Sequence, residues 1–97
     1  MSREAVEWAI QADARKYDLT PSEHHTLIAL CVFAQNLSGV HIANYPREDY
    51  AAYTGLNIRT LQRTIISLEE RGLVRRHETY VEGRRGRRPD EIELRFL

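Results

Sequence analysis

The chain has little of what reinforces a small protein from outside its core. It has one cysteine, Cys31, in 97 residues, so no internal disulfide can close and Cys31 reads as a small buried hydrophobe of a reducing compartment. The longest wholly apolar run, Leu27 to Ala34, is far shorter than the roughly 20 residues a membrane helix needs. Charge alternates from Arg3 onward, unlike the apolar stretch of a secretory leader. The expectation is a cytoplasmic protein with no membrane partner. Five glycines and three prolines form no linker and no repeat is present, so residues 1–97 read as a single domain. No ligand-sensing or enzymatic domain is expected after the last strand.

Catalytic and metal-binding patterns are also missing. His24, His25, His41 and His77 lack zinc-site spacing, and no Ser/His/Asp set or phosphate-cradling glycine motif occurs. The His24-His25 pair reads as solvated helix surface, and Glu69-Glu70 as ordinary helix surface. The expectation is no enzyme, no metal and no cofactor.

What is present is a hidden charge polarity. Fourteen Lys+Arg balance fourteen Asp+Glu, and neutrality usually argues against nucleic-acid binding. Divided at Gly55, however, the front part holds four cations against seven anions, net −3, and the rest ten cations against seven anions, net +3. All ten are arginines, and four of them, Arg84, Arg85, Arg87 and Arg88, fall between Gly83 and Pro89. Arginine suits planar bidentate partners such as phosphate and guanine. Mixed surface charge for solubility is the plainer alternative.

Periodicity places the elements. Residues 3–17 suit an amphipathic helix whose stripe is Val6, Ile10, Ala14 and Tyr17, with Trp8, Ala12 and Ala5 on a flank. Trp8 faces either a partner or the domain's own core. Thr20-Pro-Ser-Glu23 forms a capping box with proline in the first turn. The helix it opens is apolar all round from Leu27 to Ala34, which makes it the central one, and it is expected to end near Ser38-Gly39. Val40 to Tyr45 reads as a short strand, Val40 and Ile42 alternating with His41 and Ala43, stopped by Pro46. A helix over about 47–54 meets Gly55. A second starts at the N-cap Asn57 and runs to Arg71, closed by Gly72. On it Leu61, Ile65 and Leu68 point inward, and Arg59, Gln62, Arg63 and Ile66 point outward. Leu73–Val81 and Ile92–Phe96 are strand-like and joined by the arginine-loaded loop. The fold class is mainly α with a small β-hairpin, that is α+β: an N-terminal helix over 1–19, a helical core over 20–72 and a hairpin over 73–97.

The run from Tyr45 to Arg76, with the turn Thr54-Gly-Leu-Asn57, then Arg59-Thr60, and the closing Glu69-Glu-Arg-Gly-Leu73, resembles the winged helix-turn-helix family. It is most similar to the branch found in phage and plasmid replication proteins and small transcriptional regulators, and the resemblance covers roughly residues 20–97. It implies a winged helix-turn-helix with an extra N-terminal helix. Ala51 then takes the small position between the two helices, Gly55 the turn, Asn57–Ile66 the recognition helix and Gly83–Pro89 the wing. Asn57, Arg59, Thr60, Gln62 and Arg63 become candidate base and backbone contacts, and Arg84, Arg85, Arg87 and Arg88 candidate phosphate or minor-groove contacts. Two positions depart from the family pattern. Arg47 stands where a Ser or Thr N-cap is usual, so either Asn44 caps that helix or it begins loosely. Ile66 stands mid-face where a polar residue is usual.

Two functions follow as expectations. The first is sequence-specific binding of double-stranded DNA by a homodimer, as a repressor, regulator or replication-origin binder of a mobile element, with Trp8 and the N-terminal helix as candidate dimer surface. The second keeps the fold but binds a protein partner, as a replisome adaptor or mobile-element inhibitor, with Ile66 and Trp8 as its interface.

Overall fold

A computed structural model describes residues 3–11, 17–77 and 91–95 of the chain. In chain order the elements are α1 (Arg3–Gln11), α2 (Pro21–Phe33), β1 (Gln35–Leu37), β2 (Val40–Ala43), α3 (Arg47–Thr54), α4 (Ile58–Glu70), β3 (Val74–His77) and β4 (Glu91–Leu94). The protein is α+β, as expected. The described strands form one antiparallel sheet in the order β1-β2-β4-β3.

The capping box at the start of α2 is formed in both directions. The Glu23 N–H donates to Thr20 Oγ1 at 3.2 Å, and the Thr20 N–H donates to Glu23 Oε1 at 2.9 Å. Two orphan amides of the first turn are thereby satisfied. Because its middle is apolar all round, α2 is central: it packs against α1, α3, α4, β2 and β4. Leu27, Leu30 and Cys31 of α2 meet Tyr50 of α3, Leu61, Ile65 and Leu68 of α4, and Val74, Ile92 and Leu94 of the sheet in one core. Each fully buried leucine contributes about 1.5–3 kcal/mol.

Four expectations change. First, α2 stops at Phe33, because Ala34 turns extended (φ −72°, ψ 148°) and the chain enters a hairpin not anticipated from the sequence. Ser38 (φ 55°) and Gly39 (φ 89°) both take left-handed conformations, which suits a two-residue hairpin turn. Asn36 Oδ1 accepts from the Gly39 N–H at 2.8 Å. Ser38-Gly39 is thus a hairpin tip and not a helix end.

Second, β2 buries His41 and Ala43, while Val40 is exposed. The parity comes from β4, where Leu94 pairs with His41 and Ile92 with Ala43. A one-residue slip would turn every side chain over, and the buried Ile92 and Leu94 decide the matter.

Third, α1 buries Ala5 and Ala9 and leaves Ile10 60% exposed, with Val6 and Trp8 packed at the margin of the core. Small side chains let α1 lie close on α2. Residues 12–16, including Ala14 of the expected stripe and Ala12 of its flank, lie outside the described residues.

Fourth, His24 is not merely solvated surface: its Nε2 donates to the Ala9 carbonyl of α1 at 2.7 Å. The His41 Nε2 lies 3.8 Å from Glu4 Oε2 of α1. The start of α3 resolves the other open point, since Pro46 is its N-cap and no side chain caps it. The helix begins loosely.

Candidate nucleic-acid interface

Three residues, Gly55 to Asn57, separate α3 from α4, and local chemistry sets each of them. Gly55 ends α3 at φ 77°, a left-handed angle only glycine takes without strain, and its N–H donates to the Ala51 carbonyl at 2.8 Å. Thr54 Oγ1 donates to the Tyr50 carbonyl at 2.9 Å and accepts from the Leu56 N–H at 3.3 Å. Asn57 Oδ1 accepts from the Thr60 N–H at 2.8 Å, the expected N-cap.

From that start α4 separates its faces cleanly. Leu61, Thr64, Ile65 and Leu68 are buried, and Thr64 Oγ1 donates to the Thr60 carbonyl at 2.8 Å. Arg59, Gln62, Arg63 and Ile66, spaced i, i+3, i+4, i+7, share the outer stripe. Arg59, Arg63 and Ile66 are exposed and Gln62 is half-buried. Among the described residues no carboxylate pairs with either arginine. Unpaired fork donors beside an amide are suited to bidentate acceptors. Asn57 and Thr60 also sit at this end of α4, but the Asn57 carbonyl oxygen is already engaged by the cap. Ile66 is 41% exposed within the stripe.

The C-terminal half of α4 is tied down along the flanks of this stripe. Ser67 Oγ donates to Glu23 Oε2 at 2.5 Å and Arg71 Nη1 to the same oxygen at 2.7 Å. The Arg71 side chain also reaches the Tyr17 and Asp18 carbonyls, each at 3.1 Å. Glu69 joins α4 to β3: its Oε2 accepts from the Arg76 N–H at 2.9 Å, and its Oε1 lies 3.6 Å from Arg76 Nη2. Glu69 therefore does more than the helix-surface reading allowed. Glu23, which removes Arg71 from the pool of free cations, had been legible only as a capping residue.

Burial tunes the ionisable groups beneath this surface. It pushes the Cys31 thiol up to about 12, which keeps it protonated and unreactive. Burial also pushes the Tyr50 phenol up to about 12, against the opposing effect of the Tyr45 N–H that donates to its oxygen at 3.0 Å. Tyr50 is thus a neutral acceptor that holds Tyr45 in place.

Of the other candidate residues, Trp8 is half-buried and packs on the core. Arg84, Arg85, Arg87 and Arg88 lie outside the described residues. No helix among the described residues is long and apolar enough to cross a membrane. Neither a protein-family model, nor a curated protein, nor a solved structure matches the chain. The class that fold and site define is an α+β protein whose helix–turn–helix unit carries an outward arginine–glutamine stripe.

Proposed function

We propose that the chain binds double-stranded DNA sequence-specifically as a compact winged helix-turn-helix protein, either a transcriptional repressor or a replication-origin binder of a mobile element. The observation that carries this reading is the α4 stripe, where Arg59, Gln62 and Arg63 share one face of a helix with a capped start and an anchored C-terminal end. A helix of that kind fits the major groove, where arginine reads guanine O6/N7 and glutamine reads adenine N6/N7. In this reading the segment between β3 and β4 is the wing, and two copies occupy two half-sites as a homodimer. Selection of bound duplexes from a random pool, followed by gel shift, tests it. The parent chain should enrich a motif, and Arg63→Ala should relax the preference at one position of each half-site by about 1–3 kcal/mol. No duplex bound above background at low salt ends the proposal.

The exposed Ile66 favours one second reading, in which the same face binds a protein. Ile66→Lys separates the two, since an added cation preserves or strengthens DNA binding but destroys an apolar protein contact.

A further inference from the structure

A seam of aromatic rings between α2 and α3 lies apart from the α4 stripe. Phe33, at the end of α2, has its ring centroid 4.9 Å from that of Tyr45, 5.3 Å from Tyr50 and 5.9 Å from Tyr53. His25 stands edge-on to Tyr53 at 5.9 Å. Tyr50 is buried, but Tyr45 is 37% and Tyr53 46% exposed, so the seam presents ring surface to solvent. Asp49, one helical turn before Tyr53, shares its flank of α3 and is exposed, as is Glu48. No cation among the described residues pairs with either carboxylate. Arg47, two residues before Asp49, projects from the far side of the helix.

Electron-rich ring faces beside an unpaired carboxylate recognise a cation, and a guanidinium best of all, because it stacks on the ring and bonds the carboxylate together. A nucleic-acid strand also stacks on rings, but Asp49 and Glu48 repel its phosphates. The chain itself supplies the complementary charge: its front part is net −3 and its arginine-rich part net +3, densest at Arg84, Arg85, Arg87 and Arg88. With a net charge of zero, no overall repulsion keeps copies apart. We infer that the Phe33/Tyr45/Tyr53/Asp49 seam docks the Arg84–Arg88 cluster of a second copy, so that copies associate head to tail when no DNA is present. This contact is heterologous, unlike a two-fold dimer on paired half-sites. The association does not rest on the DNA reading; only its release by duplex, through competition for the same arginines, does.

Sedimentation equilibrium of the full chain without DNA tests it. The expected result is a mass that rises with concentration at low salt and falls back towards the monomer near 0.5 M salt, where such attractions are screened to within about 5 Å. Asp49→Arg should weaken association at least about tenfold. Asp49→Asn and Tyr53→Ala should act in the same direction, which keeps the test valid if the charge reversal unfolds the chain. The quadruple Ala variant of Arg84, Arg85, Arg87 and Arg88 should also be monomeric. Mixing it with Asp49→Arg should restore a one-to-one pair, because each supplies what the other lacks. A chain that stays monomeric at every concentration, association indifferent to all three seam variants, or failure of the mixture to pair overturns the inference.

Discussion

At the scale of single residues, Glu23 joins the start of α2 to the end of α4 through both of its carboxylate oxygens. One carboxylate oxygen closes the α2 capping box and the other receives Ser67 and Arg71 from the end of α4. Desolvation raises its pKa, but Ser67, the Thr20 main chain and hydroxyl, and the Arg71 charge outweigh it and leave the group below its ordinary 4.5. The unfolded chain therefore takes up the proton more readily than the native one. The stabilisation is complete above the unfolded value and drains away as pH falls through the lower native value. Glu23→Gln should cost about 1–3 kcal/mol at neutral pH, read by urea unfolding, and the gap from the parent should narrow as pH drops below 4.5. A gap unchanged by acid would show that the charge of Glu23 stabilises nothing. The capping half of this role was legible from Thr20-Pro-Ser-Glu23 alone. The other half was not, because Ser67 and Arg71 lie 44 and 48 residues away and no spacing rule links them. His24 was missed for the same reason: its partner is a main-chain carbonyl on another helix.

At the scale of elements, legibility followed how far local chemistry decides the outcome. The α3–turn–α4 unit was readable because Gly55 must take a left-handed angle, Asn57 must cap, and Leu61, Ile65 and Leu68 keep a strict helical period. The inward face of α1 was misread because apolarity favours Ile10, whereas close packing on α2 selects Ala5 and Ala9. Strand β1 left no trace in the pattern, since its three residues are all exposed and it exists through pairing with β2. Asn57 offers a test at this scale. Asn57→Ala should cost about 1 kcal/mol of stability through the lost cap, seen as a fall of roughly 4–8 °C in Tm for a domain of this size. Asn57→Asp keeps a capping oxygen and should melt like the parent, yet weaken duplex binding if this end of α4 approaches phosphates. Equal destabilisation by both variants would contradict the cap.

At the scale of the whole molecule, the zero net charge conceals a polarity that the fold arranges rather than cancels. Arg71 is consumed internally by Glu23, and Arg76 by Glu69. Arg59, Arg63 and Arg75 stay exposed without carboxylate partners among the described residues. The pairing of β4 with β2 as well as β3 joins residues 91–94 to residues 40–43. Sequence periodicity had β3 and β4 as a hairpin and β2 as a separate strand, because pairing between distant strands has no local signature. Among the described residues the exposed arginines without carboxylate partners thus lie mostly in the back part of the chain, and on the proposed DNA-binding reading affinity should fall steeply as salt rises. Each neutralised phosphate contributes about 0.9 to the slope of log K against log salt. Replacing Arg84, Arg85, Arg87 and Arg88 together by alanine should therefore lower the slope by up to about 3–4 while leaving the selected motif unchanged. Arg63→Ala should do the reverse, altering the motif with a slope change of at most about 1. If the quadruple variant changed the motif and kept the slope, the Arg84–Arg88 segment would read bases, and the division of labour between that segment and α4 would have to be exchanged.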